Sequence, residues 1–116
     1  MVFIESSSFT RSIGDYLRDD YYRELQKVLV QNPAAGAVMP GCGGLRKIRF
    51  RDPQRGKGSR GGLRVIYLYL AEQSWIFLLD IYGKDEKDDL GREEKRVLAA
   101  LASRIKEAAK GRFKRG

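Results

Sequence analysis

Between Leu45 and Arg64 the chain carries eight basic side chains, Arg46, Lys47, Arg49, Arg51, Arg55, Lys57, Arg60 and Arg64, against one acid, Asp52. Cations at this density suit phosphates, which arginine can grip through two parallel hydrogen bonds and lysine as a point charge. Gly56, Gly58, Gly61 and Gly62 interleave with them. They let backbone approach a ligand closely and leave the basic side chains mobile until they engage it. A merely solvated basic loop would share this composition. What the chain lacks narrows the chemistry further. It has no histidine and one cysteine, Cys42, which excludes Ser-His-Asp, Cys-His and two-histidine ribonuclease mechanisms. The same counts exclude an internal disulfide and leave too few ligands for a zinc site. Cys42 has no imidazole to activate it, so it reads as a small structural residue. Any catalysis must come from Lys, Arg, Tyr and the carboxylates, and no metal or cofactor is expected.

The 116 residues carry 23 basic and 15 acidic side chains, a formal charge of +8. That length sets an expectation of one domain, residues 1–116, and that charge makes polyanions the default partners. A second basic block closes the sequence, with Arg104, Lys106, Lys110, Arg112, Lys114 and Arg115 against Glu107. The acids gather between the two blocks, as Asp85, Glu86, Asp88, Asp89, Glu93 and Glu94 just after Lys84. With 42% hydrophobic residues the chain should fold. Its longest apolar runs, Val65 to Leu70 and Trp75 to Leu79, have strand length, so no membrane span is expected. The amino end lacks a basic start followed by a long apolar stretch, and a cytoplasmic protein is expected.

These side chains need elements to position them. Val2 to Glu5 reads as a short strand, and Ser6-Ser7-Ser8 as a helix N-cap ahead of the apolar stripe Phe9, Ile13, Tyr16 and Leu17. Asp19 and Asp20 are candidate caps for a second helix reaching about Gln31, with Tyr22, Leu25, Val28 and Leu29 as its stripe and Asn32-Pro33 as its stop. Ala34 to Gly44 reads as a loop with one extended segment at Ala37-Val38-Met39. From Gly44 to Phe50, Ile48 and Phe50 alternate with Lys47 and Arg49, as in a strand with a core face and a basic face. Arg51 to Gly62 is the glycine-rich basic loop. Leu63 to Ala71 and Trp75 to Tyr82 read as two further strands joined tightly through Glu72-Gln73-Ser74. Both are apolar on both faces except at Arg64 and Asp80, which signals either an ion pair or a sheet face open to a ligand. Arg92 to Lys110 reads as a helix with Val97, Leu98, Leu101, Ile105 and Ala108 on one face. The expected fold is α+β in the order β-α-α-β-β-β-α.

Three segments in this order resemble the RelE/ParE superfamily of bacterial toxins, and most of all its HigB branch. They are Gly43-Gly44-Leu45-Arg46-Lys47-Ile48-Arg49-Phe50, Gly56-Lys57-Gly58-Ser59-Arg60-Gly61-Gly62-Leu63-Arg64-Val65-Ile66-Tyr67, and Ile81-Tyr82-Gly83-Lys84-Asp85-Glu86-Lys87-Asp88-Asp89-Leu90. The resemblance covers nearly the whole chain. It implies a small domain with an antiparallel-dominated sheet packed on an N-terminal helical hairpin and joined by a C-terminal helix. It also implies a toxin that enters the ribosomal A site and cleaves mRNA as it is translated. By position, Lys57 and Arg60 match the family's basic loop, Arg64 its strand arginine, and Tyr82 and Lys84 the aromatic-x-lysine that ends the last strand. Lys47 and Arg49 match the basic face of the earlier strand. With Arg51 and Arg55 they are the candidate RNA and ribosome contacts. Ser59 departs from the pattern, standing where many relatives have lysine.

The composition suits that reaction independently of the resemblance. Cleavage by the RNA's own 2′-hydroxyl needs a proton removed, an in-line phosphorane stabilised and a leaving oxygen protonated, and no metal is obligatory. Crowded cations disfavour charged lysine and so bring it toward acid–base use, while arginine holds phosphate. The expected roles are Arg60 and Arg64 on the scissile phosphate, Lys57 and Lys84 on protons and charge, and Tyr82 stacked on a base. Two alternatives stay open: a ParE-type toxin directed at gyrase, and a non-catalytic RNA- or DNA-binding protein. The expected partners are a HigA-like antitoxin, the ribosome with its mRNA, and operator DNA only through the toxin-antitoxin complex.

Overall fold

The computed structural model describes residues 1–53, 56 and 62–113. Along them run β1 (Val2–Glu5), α1 (Ser7–Tyr16), α2 (Asp19–Gln31), β2 (Ala37–Val38), β3 (Arg46–Phe50), β4 (Leu63–Leu70), β5 (Trp75–Gly83) and α3 (Arg92–Phe113). This is the α+β order expected, with the extended segment at Ala37-Val38 realised as a two-residue strand antiparallel to β3. The sheet order is β1-β5-β4-β3-β2. The meander β3-β4-β5 forms its centre, and β1 joins parallel to β5 with Val2 opposite Trp75. Leu79 is an extra residue in β5, because Ile66 faces Asp80 while Tyr67 faces Leu78. Such a bulge bends the strand and re-aims its side chains.

Both sheet faces are buried, as the doubly apolar β4 and β5 require. Ile48, Val65, Tyr67 and Ile81 pack with Phe9, Leu17, Leu25 and Leu29 of the α1–α2 hairpin. On the opposite face Leu45, Ile66, Leu68 and Tyr82 pack with Leu90 and Ala102 of the α3 side. The buried Tyr67 also closes the loop before β2, donating its hydroxyl to Pro33 O (2.7 Å) and accepting the Gly36 N–H (2.9 Å).

The helix ends follow local chemistry, with two corrections. Ser6 caps α1, its Oγ accepting the Phe9 N–H at 3.0 Å and donating to Leu79 O at 3.0 Å. For α2 the N-cap is Arg18, without a side-chain cap bond, whereas Asp19 and Asp20 lie inside the first turn. There they complement the helix dipole instead of capping. Gly91 precedes α3, and Glu94 reaches back to accept its N–H at 2.9 Å, half of a capping box. The apolar stripe of α3 is rotated from the one expected. Ala102 and Ala109 are buried while Val97 is 56% exposed. Small alanines let the helix approach the sheet closely, so they take the central line and the bulkier residues flank it.

Candidate functional site

Strand register decides which cations meet. Arg49 on β3 lies opposite Arg64 on β4, and Arg64 lies opposite Tyr82 on β5. Side chains alternate along a strand, so these three form one row across the sheet, on the face that carries Tyr82 and Ile66 against the α3 side. Lys47 stands on the same face two residues before Arg49. Two like charges directly opposed destabilise a strand pair, and an anion seated between them reverses the sign of that interaction. Arg49 is exposed and Arg64 is only 3% exposed. Burial lowers the pKa of the Arg64 guanidinium, and the Arg49 charge adds to the effect. Arg64 faces Tyr82 rather than Asp80. Asp80 sits opposite Ile66, accepts the Ile81 N–H at 3.0 Å and is pushed to a higher pKa chiefly by burial.

Tyr82 corrects an expectation. It is 3% exposed, and its hydroxyl is buried with no hydrogen-bond partner among the described residues. Lys87 Nζ lies 5.1 Å from its ring centroid. A ring so covered does not offer its face to a base in this structure. Burial, followed by the Asp89 carboxylate, pushes the phenol up to about 12, so it keeps its proton at neutral pH. Tyr82 thus places a protonated hydroxyl beside Arg64, where the sequence suggested a stacking surface.

Lys84 stands just beyond β5, exposed, its backbone N–H donated to Gly62 O at 2.9 Å. Gly62 lies two residues before Arg64, so Lys84 is held at the same end of the sheet. Lys47 is engaged within the protein. Its Nζ is 3.2 Å from Asp89 Oδ1, and Lys95 lies 3.0 Å from Asp89 Oδ2. Lys95 first, then the Leu90 N–H and Lys47, hold Asp89 down to about 2 against the opposing effect of burial. Arg51 turns toward α2, 2.5 Å from Glu24 and 5.3 Å above the Tyr21 ring, and so leaves the row. Lys57, Arg60 and Arg55 lie outside the described residues, as does Ser59. Cys42 is buried in the core on the α3 side, deeper than a small loop cysteine between two glycines suggests.

The structure therefore brings Arg49, Arg64 and Tyr82 together, with Lys84 at their end, and draws Arg51 away. Sequence reasoning gave Asp89 and Glu86 no role beyond membership of the acidic stretch after Lys84. Asp89 is the link between β3 and α3, and Glu86 bonds to Tyr16 of α1. Their only signal was the crowding of acids behind Lys84, which does not reveal which of them finds a partner. No helix among the described residues is long and apolar enough to cross a membrane.

A family model described as the RelE toxin of the RelE/RelB toxin-antitoxin system matches residues 27–115. Among solved structures, a mutant of E. coli toxin RelE in the free state shares the fold at TM-score 0.50. It has 18% sequence identity, covering 86% of this chain and 94% of that one. At that identity the likeness is one of fold. The family match is broader in meaning, because it spans β3, β4 and β5, the strands that carry the Arg49, Arg64 and Tyr82 row. The chain belongs to the RelE toxin family of toxin-antitoxin systems.

Proposed function

We propose that this toxin is a HigB-like, ribosome-dependent endoribonuclease that cleaves mRNA in the A site without a metal, through attack by the RNA's 2′-hydroxyl. The observation that carries the reading is the opposition of Arg49 and the buried Arg64 across β3 and β4, beside the protonated phenol of Tyr82. A scissile phosphate seated there relieves the repulsion and gains charge-assisted hydrogen bonds that strengthen as the phosphorane forms. In this reading Arg64 and Arg60 hold the phosphate, and Lys57 and Lys84 remove and return protons. Tyr82 acts from beneath as a neutral hydroxyl. Lys47, Arg49, Arg51 and Arg55 contact RNA phosphates on the ribosome. The ion pairs of Lys47 and Arg51 do not prevent this, since exposed pairs contribute about 0–1 kcal/mol and exchange readily for phosphate.

A HigA-like antitoxin is the proposed neutralising partner, with operator DNA reached only through the toxin-antitoxin complex and the cytoplasm as the site of action. The test is primer extension on an mRNA in a purified translation system, with and without ribosomes, comparing wild type with Arg64→Ala. The expected outcome is cleavage that needs both the ribosome and Arg64, with the variant folded by circular dichroism. Ribosome-independent cuts, or a folded Arg64→Ala that still cleaves, would overturn the reading. Arrested growth without any cut would favour a gyrase target or binding alone. A plain phosphate-binding module would instead lose affinity gradually and salt-dependently with each cation removed.

A further inference from the structure

The end of β5 is tied across the molecule to the first helix. Tyr16, the last residue of α1, donates its hydroxyl to Glu86 Oε1 at 2.6 Å. The same oxygen accepts the backbone N–H of Gly83 at 2.7 Å. The Gly83 carbonyl in turn accepts the N–H of Glu86 at 3.0 Å. Gly83 is the last residue of β5 with a strand partner, Leu63, and Lys84 follows it directly. Lys84 itself donates its N–H to Gly62 O. The backbone that launches Lys84 is therefore held from β4 on one side and, through Glu86, from α1 on the other.

Among the described residues the Lys84 N–H bond to Gly62 O is the last tie to β4, Leu63 opposite Gly83 is the last strand pair, and a lysine side chain has many rotamers open to it, so the direction in which the chain leaves the sheet there matters. One carboxylate oxygen taking two short bonds, one from a residue distant in sequence, fixes that direction. We propose that Glu86, braced by Tyr16, is a positioning residue for Lys84: it orients the Gly83–Lys84 peptide so that the ammonium group meets the phosphate held at Arg64. The inference rests on the reading above, in which Lys84 acts on the scissile phosphate. Glu86 touches no substrate in it. Its effect is geometric, and misplacing a reacting group by about 1 Å costs on the order of a hundredfold in rate.

The experiment is single-turnover mRNA cleavage on purified ribosomes, reading the rate constant at saturating toxin and, separately, the half-saturating toxin concentration. Tyr16→Phe keeps the ring and loses only the hydroxyl, while Glu86→Ala removes the brace. Both are expected to lower the rate constant by about ten- to a hundredfold, with half-saturation and Tm close to wild type. Glu86→Gln should recover most of the rate, because an amide oxygen has two lone pairs and accepts both bonds. Adding Glu86→Ala to Lys84→Ala should slow cleavage no further than Lys84→Ala alone. Wild-type rates for Tyr16→Phe and Glu86→Ala would overturn the proposal. So would a Glu86→Gln as slow as Glu86→Ala, which would mean that the charge acts directly. Losses of rate and affinity that track a fall in Tm would make the contact structural only. If Lys84→Ala itself cleaves at the wild-type rate, the reading of Lys84 fails and the brace with it. If Lys84→Ala is inactive and Glu86→Ala is not, the brace alone fails.

Discussion

Tyr82→Phe should make the protein more stable. The hydroxyl it removes is buried and has no hydrogen-bond partner among the described residues, in a side chain 3% exposed. An unsatisfied buried polar group costs about 1–3 kcal/mol, and phenylalanine keeps the ring that fills the space. Taking the lower part of that range, the expected gain is about 1–2 kcal/mol. At about 2.1 cal/mol/K of unfolding entropy per residue, a chain of 116 residues shifts its Tm by about 4 °C for each kcal/mol. Calorimetric melts at pH 7 should therefore place the variant about 4–8 °C above wild type. A second arm uses the phenol's acidity. Its pKa is raised to about 12 in the folded protein against about 10 in an unfolded chain. The folded state thus holds a proton that the unfolded state has released, and wild-type stability falls as pH rises from about 10 to about 12. Phenylalanine lacks this loss, so the gap should widen across that window by up to about 2–3 kcal/mol. A variant that melts at or below wild type, with a gap that does not grow at high pH, refutes the reasoning. Slower mRNA cleavage alongside the higher Tm would mean that the buried hydroxyl is kept for the reaction at the expense of stability.

Three further perturbations probe the frame around the site. Ser6→Ala removes both the cap of α1 and the bond to Leu79, and should lower stability by about 1–2 kcal/mol in thermal melts; an unchanged Tm would mean that water replaces both bonds without loss. Gly36→Ala would bring a Cβ to 2.8 Å from Tyr67 Cε1 and 3.0 Å from the Lys47 backbone, and a destabilisation of about 1–3 kcal/mol is expected, with a change in near-ultraviolet circular dichroism from Tyr67. In Asp89→Asn the carboxylate bridging Lys95 and Lys47 is lost. Its pKa is depressed to about 2, so its stabilisation is complete above about pH 4 and disappears as pH falls toward 2. Because the group is about half exposed, about 1 kcal/mol is expected at pH 7, measured by urea midpoints at pH 7, 4 and 2.5, and a difference that persists undiminished at low pH would contradict the assignment.

Much of the fold and part of the site were legible in the residues alone. Alternation of Ile48 and Phe50 with Lys47 and Arg49 announced a strand with a basic face, and the structure places Ile48 and Phe50 in the hairpin core with the cations on the other side. Serines ahead of an apolar stripe announced the α1 cap, and the missing histidine bounded the chemistry to Lys, Arg, Tyr and carboxylates. These are properties of a few neighbouring residues, in which propensity, periodicity and side-chain inventory act locally. Other features depend on pairings between distant segments, and no local pattern encodes them. The parallel addition of β1 to β5 is one, and the register that sets Arg49 against Arg64 and Arg64 against Tyr82 is another. The helix face chosen by α3 depended on how closely alanine lets it approach the sheet, so Val97 turned outward. Tyr82 looked like an aromatic platform in sequence, and only packing against the α3 side made it a buried, protonated hydroxyl. Glu86 and Asp89 belonged to one undivided run of acids until the fold gave the first to Tyr16 and the second to two lysines. A carboxylate's role is set by what lies within hydrogen-bond reach, and that distance exists only once the chain has closed on itself.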